Sequence, residues 1–582
     1  MQKQINNNFA LLPQPQLSII MSNKDIIKQF RLAASLLELN GANQFKTRAY
    51  SSIVFQLERL EQQLEGKSID EMIALGISKG MAPKISALFA QGSYDELDEL
   101  QEKTPIGVVQ MLEIKGIGAK KIKTIWQELG IDSLDKLIVA CKAGEISKLK
   151  GFGAKTEQLI IDQIEYMRAN SGKLLFSKAE PLALTLEDHL ATQLPDSKVA
   201  IAGEVRRRME IVEVIELVVG TDDFASVRTI LEEIPDIVGD QSKSGPFIWR
   251  GVISEHNLQV EVRLTPKDKF VNELFLQSAS LKHLSSKMGE RKIKQVALSQ
   301  AFESEEAIYQ ALEMDYIAPE MREGEFELAL AREHKLPKLV EVADLKGVLH
   351  NHSTYSDGRH SLRAMAEKCI ELGYEYLGIS DHSQTAFYAN GLTEERILEQ
   401  HAEIDLLNKE LAPFKIFKGI ESDILNDGSL DYPEDILKTF DFIVSSIHGN
   451  LRMDEQKATA RLLAAIENPY TTILGHPTGR LLLKREGYPI DHKAVIDACA
   501  KHGVSIEINA NPLRLDLDWR WVHYAISQGV MIAINPDAHD KEHYEFMRYG
   551  LLVGRKAGLT KEMTLNSLSK DELASYFAAR KK

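Results

Sequence analysis

Residues 349–358 read LHNHSTYSDG, and this stretch decides the fold of the second half of the chain. A short apolar run ends at His350 and His352, and the loop that follows carries Asp357. Imidazole and carboxylate groups are common ligands of divalent metal ions. The stretch therefore predicts a strand whose carboxyl end opens into a metal site.

Six further apolar runs between residues 376 and 534 end in the same way. The side chains that follow them are Asp381, His382, Glu421, His448, His476, Asn509, Asn511, Asp537 and His539. Any one of these alone is more often a cap or a core group than a ligand. Amphipathic helices separate the runs, which predicts a parallel sheet or barrel whose strand ends share one rim. We therefore expect a pocket with two or three ions of the manganese, zinc or iron type, suited to phosphoryl displacement.

The motifs resemble those of the PHP (polymerase and histidinol phosphatase) domain that is fused to bacterial family X DNA polymerases. They read LHNHSTYSDG (349–358), SDHS (380–383), KGIESDIL (418–425), SIHGN (446–450), GHPTGR (475–480), INANPLRLD (508–516) and NPDAH (535–539). The resemblance implies a distorted seven-stranded barrel over residues 341–582, with a trinuclear metal site that removes nucleotides or blocking groups from DNA 3′ ends. The ligands it implies are His350, His352, Asp357, His382, Glu421, His448, His476, Asp537 and His539.

Two arginines stand beside these motifs. Arg480 and Arg514 are candidates for holding a substrate phosphate through bidentate hydrogen bonds, and a purely structural role is the alternative.

Residues 21–170 predict helices that are separated by glycine turns. Two turns, IKGIGAKKI (114–122) and LKGFGAKTEQLI (149–160), have the Gly-x-Gly-x-Lys form of a helix-hairpin-helix. Such a turn exposes backbone amides at a helix N-terminus to a DNA phosphate, although a simple helix cap is the alternative. The residues that this hypothesis assigns to DNA binding are Gly116, Gly118, Lys120, Gly151, Gly153 and Lys155.

The same region resembles the lyase and fingers regions of family X polymerases. The resemblance includes the segment ANQFKTRAY (42–50) and the first glycine turn, LGISKGMAPKI (75–85). Lys84 lies where the lyase subdomain can carry a Schiff-base lysine, and a simple surface lysine is the alternative.

Residues 171–340 predict an α+β region and resemble the palm and thumb of the same family. That family presents Gly-Ser, then Asp-x-Asp on one strand and a third Asp on a neighbouring strand. The corresponding positions here are Gly203, Glu204, Val214, Glu216 and Glu261. Strand alternation puts positions 214 and 216 on one face, where two carboxylates should hold two magnesium ions. We therefore expect polymerase activity to be lost or weak, while Arg206 to Arg208 help the fold grip DNA.

The composition limits the remaining classes of function. The 582 residues suffice for three or four domains, and no apolar run is long enough for a membrane span. Three separated cysteines indicate neither disulfides nor a zinc-thiolate site, which fits the cytoplasm. A net charge of −15 excludes broad electrostatic adhesion to nucleic acid, so DNA binding depends on local motifs. Residues 1–20 are expected to be a disordered extension, with Met21 an alternative start.

These observations favour a cytoplasmic DNA repair enzyme that acts on gapped or 3′-ended DNA. Its PHP barrel would be a 3′-5′ exonuclease or 3′-end phosphoesterase that uses Mn²⁺ or Zn²⁺, without membrane association. The alternatives are an active DNA polymerase with exonuclease activity, a small-molecule phosphatase such as histidinol phosphatase, and a non-catalytic DNA-binding scaffold. The sequence leaves the oligomeric state open.

Overall fold

A computed structural model describes residues 21–60 and 62–580. The predicted N-terminal extension, residues 1–20, lies outside the described residues. The chain divides into two compact units, Met1–Asn170 and Ser171–Lys582. Across the described ranges, none of the helices combines the length and the apolar character that a bilayer crossing requires.

The first unit is helical, as predicted. Its helices are α1 (Asn23–Leu39), α2 (Gln44–Glu58), α3 (Ile69–Ala74), α4 (Ala82–Gln91), α5 (Asp95–Lys103), α6 (Ile106–Met111), α7 (Ala119–Leu129), α8 (Leu134–Lys142) and α9 (Ala154–Ala169). Apolar residues at helical spacing, such as Ile26, Phe30 and Leu37 on α1, form one shared core.

The second unit begins with an α+β region. Its first elements are β1 (Leu174–Leu175), α10 (Phe176–Gln193), β2 (Lys198–Ile201), α11 (Gly203–Arg206), β3 (Ile211–Val212), β4 (Val214–Gly220), α12 (Phe224–Glu232), β5 (Ile237–Gly239), β6 (Ile248–Ile253) and β7 (Leu258–Thr265). The five-stranded sheet has the order β2-β4-β7-β6-β5. Strand β4 runs parallel to β7, and Glu216 pairs with Glu261 in their register.

Short helices and a small hairpin follow this sheet and pack around a core of their own. These elements are α13 (Phe270–Gln277), α14 (Leu281–Ser285), β8 (Lys287–Met288), β9 (Arg291–Lys292), α15 (Ile293–Ala297), α16 (Glu305–Gln310) and α17 (Glu327–Arg332).

The rest of the second unit is a barrel of parallel strands with helices outside, as predicted. Its elements are β10 (Gly347–Val348), α18 (Leu362–Glu371), β11 (Tyr376–Ile379), α19 (Glu394–Glu410), β12 (Lys415–Asp423), α20 (Glu434–Leu437), β13 (Phe442–Ser446), α21 (Glu455–Glu467), β14 (Ile473–Leu474), α22 (His492–His502), β15 (Ser505–Asn509), α23 (Trp519–Ser527), β16 (Ile532–Asn535), α24 (Met547–Lys556) and α25 (Lys570–Arg580). The seven strands β10 to β16 pair in chain order.

The barrel is nearly closed between its first and last strands. Asn351 and Ala538 form a parallel bridge, and the Leu349 amide donates to Oδ1 of Asn535 at 3.1 Å. The strands are buried on both faces, as in other parallel sheets that helices cover. All seven carboxyl ends therefore meet at one rim.

Candidate metal centre

Glu421 lies at the centre of a cluster at this rim. It belongs to β12 itself, although the sequence suggested a position just after the strand. Its Oε1 atom is 3.2 Å from Nε2 of His350, 3.2 Å from Nε2 of His448 and 3.1 Å from Nε2 of His476. Its Oε2 atom is 3.0 Å from Nδ1 of His382. One carboxylate thus contacts four imidazoles that follow four different strands.

Asp537 joins the imidazoles on the other side of the cluster. Its Oδ1 atom is 3.2 Å from Nε2 of His352, 3.6 Å from Nε2 of His350 and 3.6 Å from Nδ1 of His539. Asp537 has a φ of 51°, a left-handed conformation that is costly for a residue other than glycine. Backbone strain of this kind is characteristic of functional sites.

Asp357 completes the set from the loop after β10. Its Oδ1 atom is 3.4 Å from Nε2 of His539 and 3.7 Å from Nε2 of His382. Asp357 and His539 have 35% and 31% of their side-chain surfaces exposed, whereas Glu421 and His350 are buried. The cluster is therefore open to solvent on the side of Asp357 and His539.

Three overlapping groups of these side chains have the spacing of metal sites. Within each group the candidate ligand atoms all lie within 4.8 Å of one another. The groups are His352, Asp357, His382 and His539; His350, His352 and Asp537; and His382, Glu421 and His448. Their mixed nitrogen and oxygen donors suit divalent cations.

Several buried atoms of the cluster make no hydrogen bond of acceptable geometry within the described residues, although other atoms of the cluster lie close to them. They are Nε2 of His350, both ring nitrogens of His352, Nδ1 of His382 and Oε2 of Glu421. Buried polar atoms are normally bonded, so unsatisfied lone pairs that converge on one space fit bound metal ions.

The electrostatics of the cluster differ between its members. Burial opposes the shift, but the neighbouring carboxylates raise the pKa of His350, His448 and His539, so these imidazoles hold protons that a bound cation would displace. His352 and Glu421 are in their ligand forms. Burial and the neighbouring His539 and His382 lower the pKa of His352 to about 3, so this imidazole is neutral. Burial alone would raise the pKa of Glu421, but the imidazoles of His448, His350 and His382 hold it well below its usual range. A neutral imidazole and an ionised carboxylate are the protonation states that bind cations.

Two carboxylates behind the cluster orient its imidazoles, and our sequence reasoning missed both roles. Glu507 is fully buried on β15, and its Oε2 atom is 2.7 Å from Nδ1 of His350. Asp423 bonds Nδ1 of His448 in the same way. A carboxylate on the second ring nitrogen fixes the tautomer and presents the other nitrogen to a metal. The signal that could have revealed Glu507 is a charged residue inside the apolar strand Ser505–Asn509.

Four of the polar residues after strands lie outside the metal groups. His476 is one of them, although it contacts Glu421, and the other three support the cluster and its loops. Asp381 accepts from the Ser353 amide at 2.7 Å and from Nε2 of Gln400 at 2.7 Å, which holds the loop leading to Asp357. Asn509 donates to Oδ2 of Asp537 at 3.0 Å. Asn511 accepts from the Leu513 amide at 3.0 Å.

The two candidate phosphate-binding arginines differ in their surroundings. Nη1 of Arg480 bonds Asp518 at 2.8 Å, and its Nε bonds the Arg514 carbonyl at 2.9 Å. These internal bonds favour the structural role for Arg480, because its donors are already occupied. Nε of Arg514 is 3.5 Å from Oδ2 of Asp537, so this guanidinium lies beside the metal cluster. Arg514 remains our prediction for the phosphate contact.

The two glycine turns of the first unit have the backbone that the motif requires. Gly116 and Gly151 have φ values of 91° and 87°, which a side chain would strain. Gly118 and Gly153 are the N-caps of α7 and α9, and neither helix has a side-chain cap within the described residues. The first amides of both helices are therefore oriented to bind an anion.

Lys84 occupies an ionic cluster. Its Nζ atom bonds Oη of Tyr50 at 2.6 Å and also pairs with Glu96, which pairs with Lys46 on its other oxygen. Burial would raise the pKa of Glu96, but the bonds from Lys46, Lys84 and Tyr50 lower it to about 2. Nζ of Lys84 is thus already engaged by two side chains, whereas Schiff-base formation requires a free amine. The lyase role of Lys84 stays a prediction that this geometry does not favour.

Comparison with known proteins connects both units to described families. Residues 108–165 match the SAM-like helix-hairpin-helix tandem family, and residues 349–511 match the PHP domain family. The DNA polymerase/3′-5′ exonuclease PolX of Bacillus subtilis (strain 168) is 35% identical to this chain over 569 residues. The alignment covers 96% of this chain and 99% of that protein. The chain belongs to the bacterial family X DNA polymerases with a PHP domain.

Part of this family X chain is also similar to shorter proteins. A probable phosphatase of Thermoanaerobacter sp. (strain X514) is 28% identical over 236 residues, which are 38% of this chain and 91% of that protein. A probable phosphatase of Caldanaerobacter subterraneus subsp. tengcongensis is 25% identical over 251 residues, or 41% of this chain and 94% of that protein.

The residues that the sequence analysis assigned to a palm centre lie on and beside the five-stranded sheet. Val214 and Glu216 alternate with the buried Ile215 on β4, and Glu261 is the cross-strand neighbour of Glu216. Oε2 of Glu204 accepts from the amides of Glu213 at 2.6 Å and Val214 at 3.3 Å, so this carboxylate holds the adjoining backbone.

Glu216 and Glu261, the other two carboxylates of this predicted site, have surroundings that oppose cation binding. Oε2 of Glu261 accepts from Nε of Arg250 at 2.8 Å, and its Oε1 pairs with Arg263 at 2.7 Å. Burial raises the pKa of Glu216 to about 7, although Arg207 opposes this shift. One carboxylate is therefore neutralised by two guanidinium groups, and the other is partly protonated at neutral pH.

The arginines that we expected to contact DNA form ion pairs inside the second unit. Arg206 pairs with Glu305 at 2.8 Å, Arg207 with Glu323 at 3.2 Å and Arg208 with Glu180 at 2.8 Å. Lys556 of the barrel also bonds Glu323 and donates to the Arg207 carbonyl at 3.0 Å. These contacts place the three arginines inside the second unit, where Lys556 of the barrel meets Arg207 and Glu323, which accounts for their presence without DNA.

Proposed function

We propose that this chain hydrolyses DNA from the 3′ end at the PHP barrel, as a 3′-5′ exonuclease or 3′-end phosphoesterase. The observation that carries the proposal is the convergence of the nine predicted ligands around Glu421 and Asp537 in a chain with two helix-hairpin-helix turns. The proposed substrate is gapped or otherwise 3′-ended DNA. We assign residues 171–340 to the palm and thumb and residues 341–582 to the PHP domain.

We propose that the nine side chains hold two or three Mn²⁺ or Zn²⁺ ions. Bound ions of this kind supply a hydroxide from water and stabilise both oxygens of an in-line phosphoryl displacement. Glu507 and Asp423 hold the imidazoles of His350 and His448 in the ligand orientation. Arg514 carries the positive charge that positions the substrate phosphate beside Asp537.

Incubation of the purified chain with Mn²⁺ and a 5′-labelled primer on gapped DNA tests the proposed activity. We expect the primer to shorten from its 3′ end, with or without nucleotides, and a chelator to stop the reaction. Shortening would be measured on a denaturing gel. An intact primer in a preparation that hydrolyses histidinol phosphate would contradict DNA hydrolysis and favour the small-molecule phosphatase.

Reversing the charge of Lys120 and Lys155 together is expected to weaken DNA binding about tenfold or more at moderate salt. Both side chains are exposed and follow the amide-presenting turns, so each substitution replaces an attraction to phosphate by a repulsion. The slope of the logarithm of the binding constant against the logarithm of salt concentration should decrease by the amount that corresponds to about two phosphate contacts. Fluorescence anisotropy with labelled DNA measures both effects.

Lys103→Glu/Lys136→Glu is the matched control, because it changes the net charge by the same amount at two exposed lysines, which pair with Glu99 and Asp132. An equal loss of affinity in this control would show that net charge, and not the turns, determines binding. Unchanged affinity in the Lys120 and Lys155 variant would remove the turns from the DNA-binding surface.

A further inference from the structure

Two adjacent aromatic side chains are exposed on the loop between β11 and α19. Phe387 and Tyr388 belong to a single helical turn, Phe387–Ala389, and have 87% and 72% of their surfaces exposed. By contrast, Tyr376, Phe417 and Phe442 of the barrel strands are buried. A pair of large exposed rings at one place is a feature of binding surfaces.

The loop places these rings beside the metal cluster. The ring of Tyr388 is centred 6.1 Å from the ring of His382 at an angle of 59°. The carboxylates of Asp423, Glu421 and Asp357 and the guanidinium of Arg514 are its charged neighbours. The Tyr388 ring therefore lies next to the candidate ligand His382, and Phe387 precedes it in the same helical turn.

The backbone of the loop is held firmly although its rings face solvent. Nη1 of Arg396 donates to the Asn390 carbonyl at 2.9 Å, and Nδ2 of Asn390 donates to the Tyr355 carbonyl at 3.2 Å. A Cβ atom on Gly391 would lie 1.8 Å from the Ser383 carbonyl oxygen, so the backbone segments at Gly391 and Ser383 are in close contact. These contacts fix the position of the turn and present the rings in a defined place.

Thr385 connects the start of the same loop to the cluster. Its hydroxyl donates to Oδ2 of Asp423 at 3.0 Å and to Oδ2 of Asp431 at 2.8 Å. Asp423 in turn bonds the ring of His448. The turn with Phe387 and Tyr388 is thus joined directly to a residue that orients a candidate ligand.

We propose that Phe387 and Tyr388 form a stacking platform for the unpaired nucleobases at the DNA 3′ end. This proposal rests on the proposed function, because the bases stack here while the adjoining phosphodiester reaches the metal cluster. Exposed aromatic rings bind single-stranded nucleic acid by stacking on base faces, which every base offers irrespective of sequence. The platform makes the barrel selective for an unpaired 3′ end without selecting its sequence.

The recessed ligands explain why the end must be unpaired. His350, His352 and Glu421 are almost completely buried, whereas Asp357 and His539 are the most exposed of the candidate ligands. A strand must leave its duplex for its phosphate to reach such a site, and unpairing exposes base faces to water. Stacking on Phe387 and Tyr388 compensates for the base stacking that is lost.

The test compares Phe387→Ala/Tyr388→Ala with the wild type on two single-stranded oligonucleotides in Mn²⁺. One ends in an ordinary nucleotide, and the other ends in two abasic tetrahydrofuran residues that have no base to stack. We expect kcat/KM of the variant to fall about tenfold or more on the ordinary end, mainly through KM, and less than about twofold on the abasic end. Because both side chains are exposed, the truncations remove little packing.

Two further variants identify the cause of the loss. Phe387→Tyr/Tyr388→Phe keeps both rings and exchanges the hydroxyl group, so it should restore most of the activity that the alanines remove. Leu398→Ala removes an exposed apolar side chain of α19 that is 62% exposed, and its kinetics should match the wild type on both substrates. A loss in the exchanged variant as large as in the alanine variant would assign the effect to the hydroxyl and overturn the platform.

A direct measurement uses 2-aminopurine at the 3′ terminus, in a chelator so that no hydrolysis occurs. Stacking quenches its fluorescence, and we expect quenching by the wild type but not by the double alanine variant. Equal losses on the ordinary and abasic ends, or equal quenching by both proteins, would overturn the platform. If the wild type with Mn²⁺ shortened neither oligonucleotide, the proposed exonuclease itself would be contradicted.

Discussion

Replacing Asp537 by asparagine is expected to lower metal-dependent DNA hydrolysis by more than about a hundredfold, since losing even an outer partner of a metal ligand costs about 10- to 100-fold. The substitution keeps the shape of the side chain but removes the charge from an oxygen that lies 3.2 Å from His352 and 3.6 Å from His350. The site then lacks an anionic ligand to balance the cations. Gel assays of 3′ shortening and metal content by mass spectrometry measure the two losses.

Two matched variants separate ligation from orientation and from general charge effects. Asp435→Asn alters an exposed residue on α20 and should change neither activity nor metal content. Glu507→Gln keeps every proposed ligand but weakens the bond to Nδ1 of His350, so it should lower metal affinity about 10- to 100-fold. Full metal content and wild-type activity in Asp537→Asn would remove Asp537 from the proposed ligand set.

The barrel could be predicted because each apolar, strand-like run in the sequence is followed by side chains that could bind a metal ion. Each apolar run is followed by polar residues, and parallel strands must place those residues at one rim. The predicted runs and the observed strands therefore differ mainly at their ends, as with Glu421, which lies inside β12. Closure of the barrel was harder to predict from the sequence, because it depends on the side chain of Asn535 and on a single bridge between Asn351 and Ala538.

The role of a side chain often depends on its contacts in the folded protein. Such roles could not be predicted from the spacing of residues in the sequence. Asp381 and His382 are adjacent in sequence, yet Asp381 bonds Ser353 and Gln400 while His382 faces Glu421. Arg480 also follows a strand-end motif, but its donors are taken by Asp518 and backbone carbonyls. Only the packed structure shows which polar groups are satisfied and which remain open to a ligand.

The palm is expected to show no primer extension with Mg²⁺ or Mn²⁺. The experiment uses His350→Ala, in which the proposed nuclease site is disabled, so that degradation cannot hide synthesis. A 5′-labelled primer on gapped DNA with all four nucleotides should keep its length on a denaturing gel. Two-metal nucleotidyl transfer requires carboxylates that hold both ions against primer and nucleotide, and small displacements are costly.

The palm side chains supply the physical reason for this expectation. Val214 offers no ligand, and burial keeps Glu216 partly protonated near neutral pH. A cation at Glu261 would have to displace two guanidinium groups, at 2.8 Å and 2.7 Å, and would then meet their repulsion. Aspartate at positions 216 and 261 would shorten two carboxylate side chains, and aspartate at position 214 would add a third. Arg250 and Arg263 would remain in place. Extension by the otherwise unmodified palm would mean that nucleotide and metal binding rearrange these ion pairs, and that Glu216 and Glu261 suffice for synthesis.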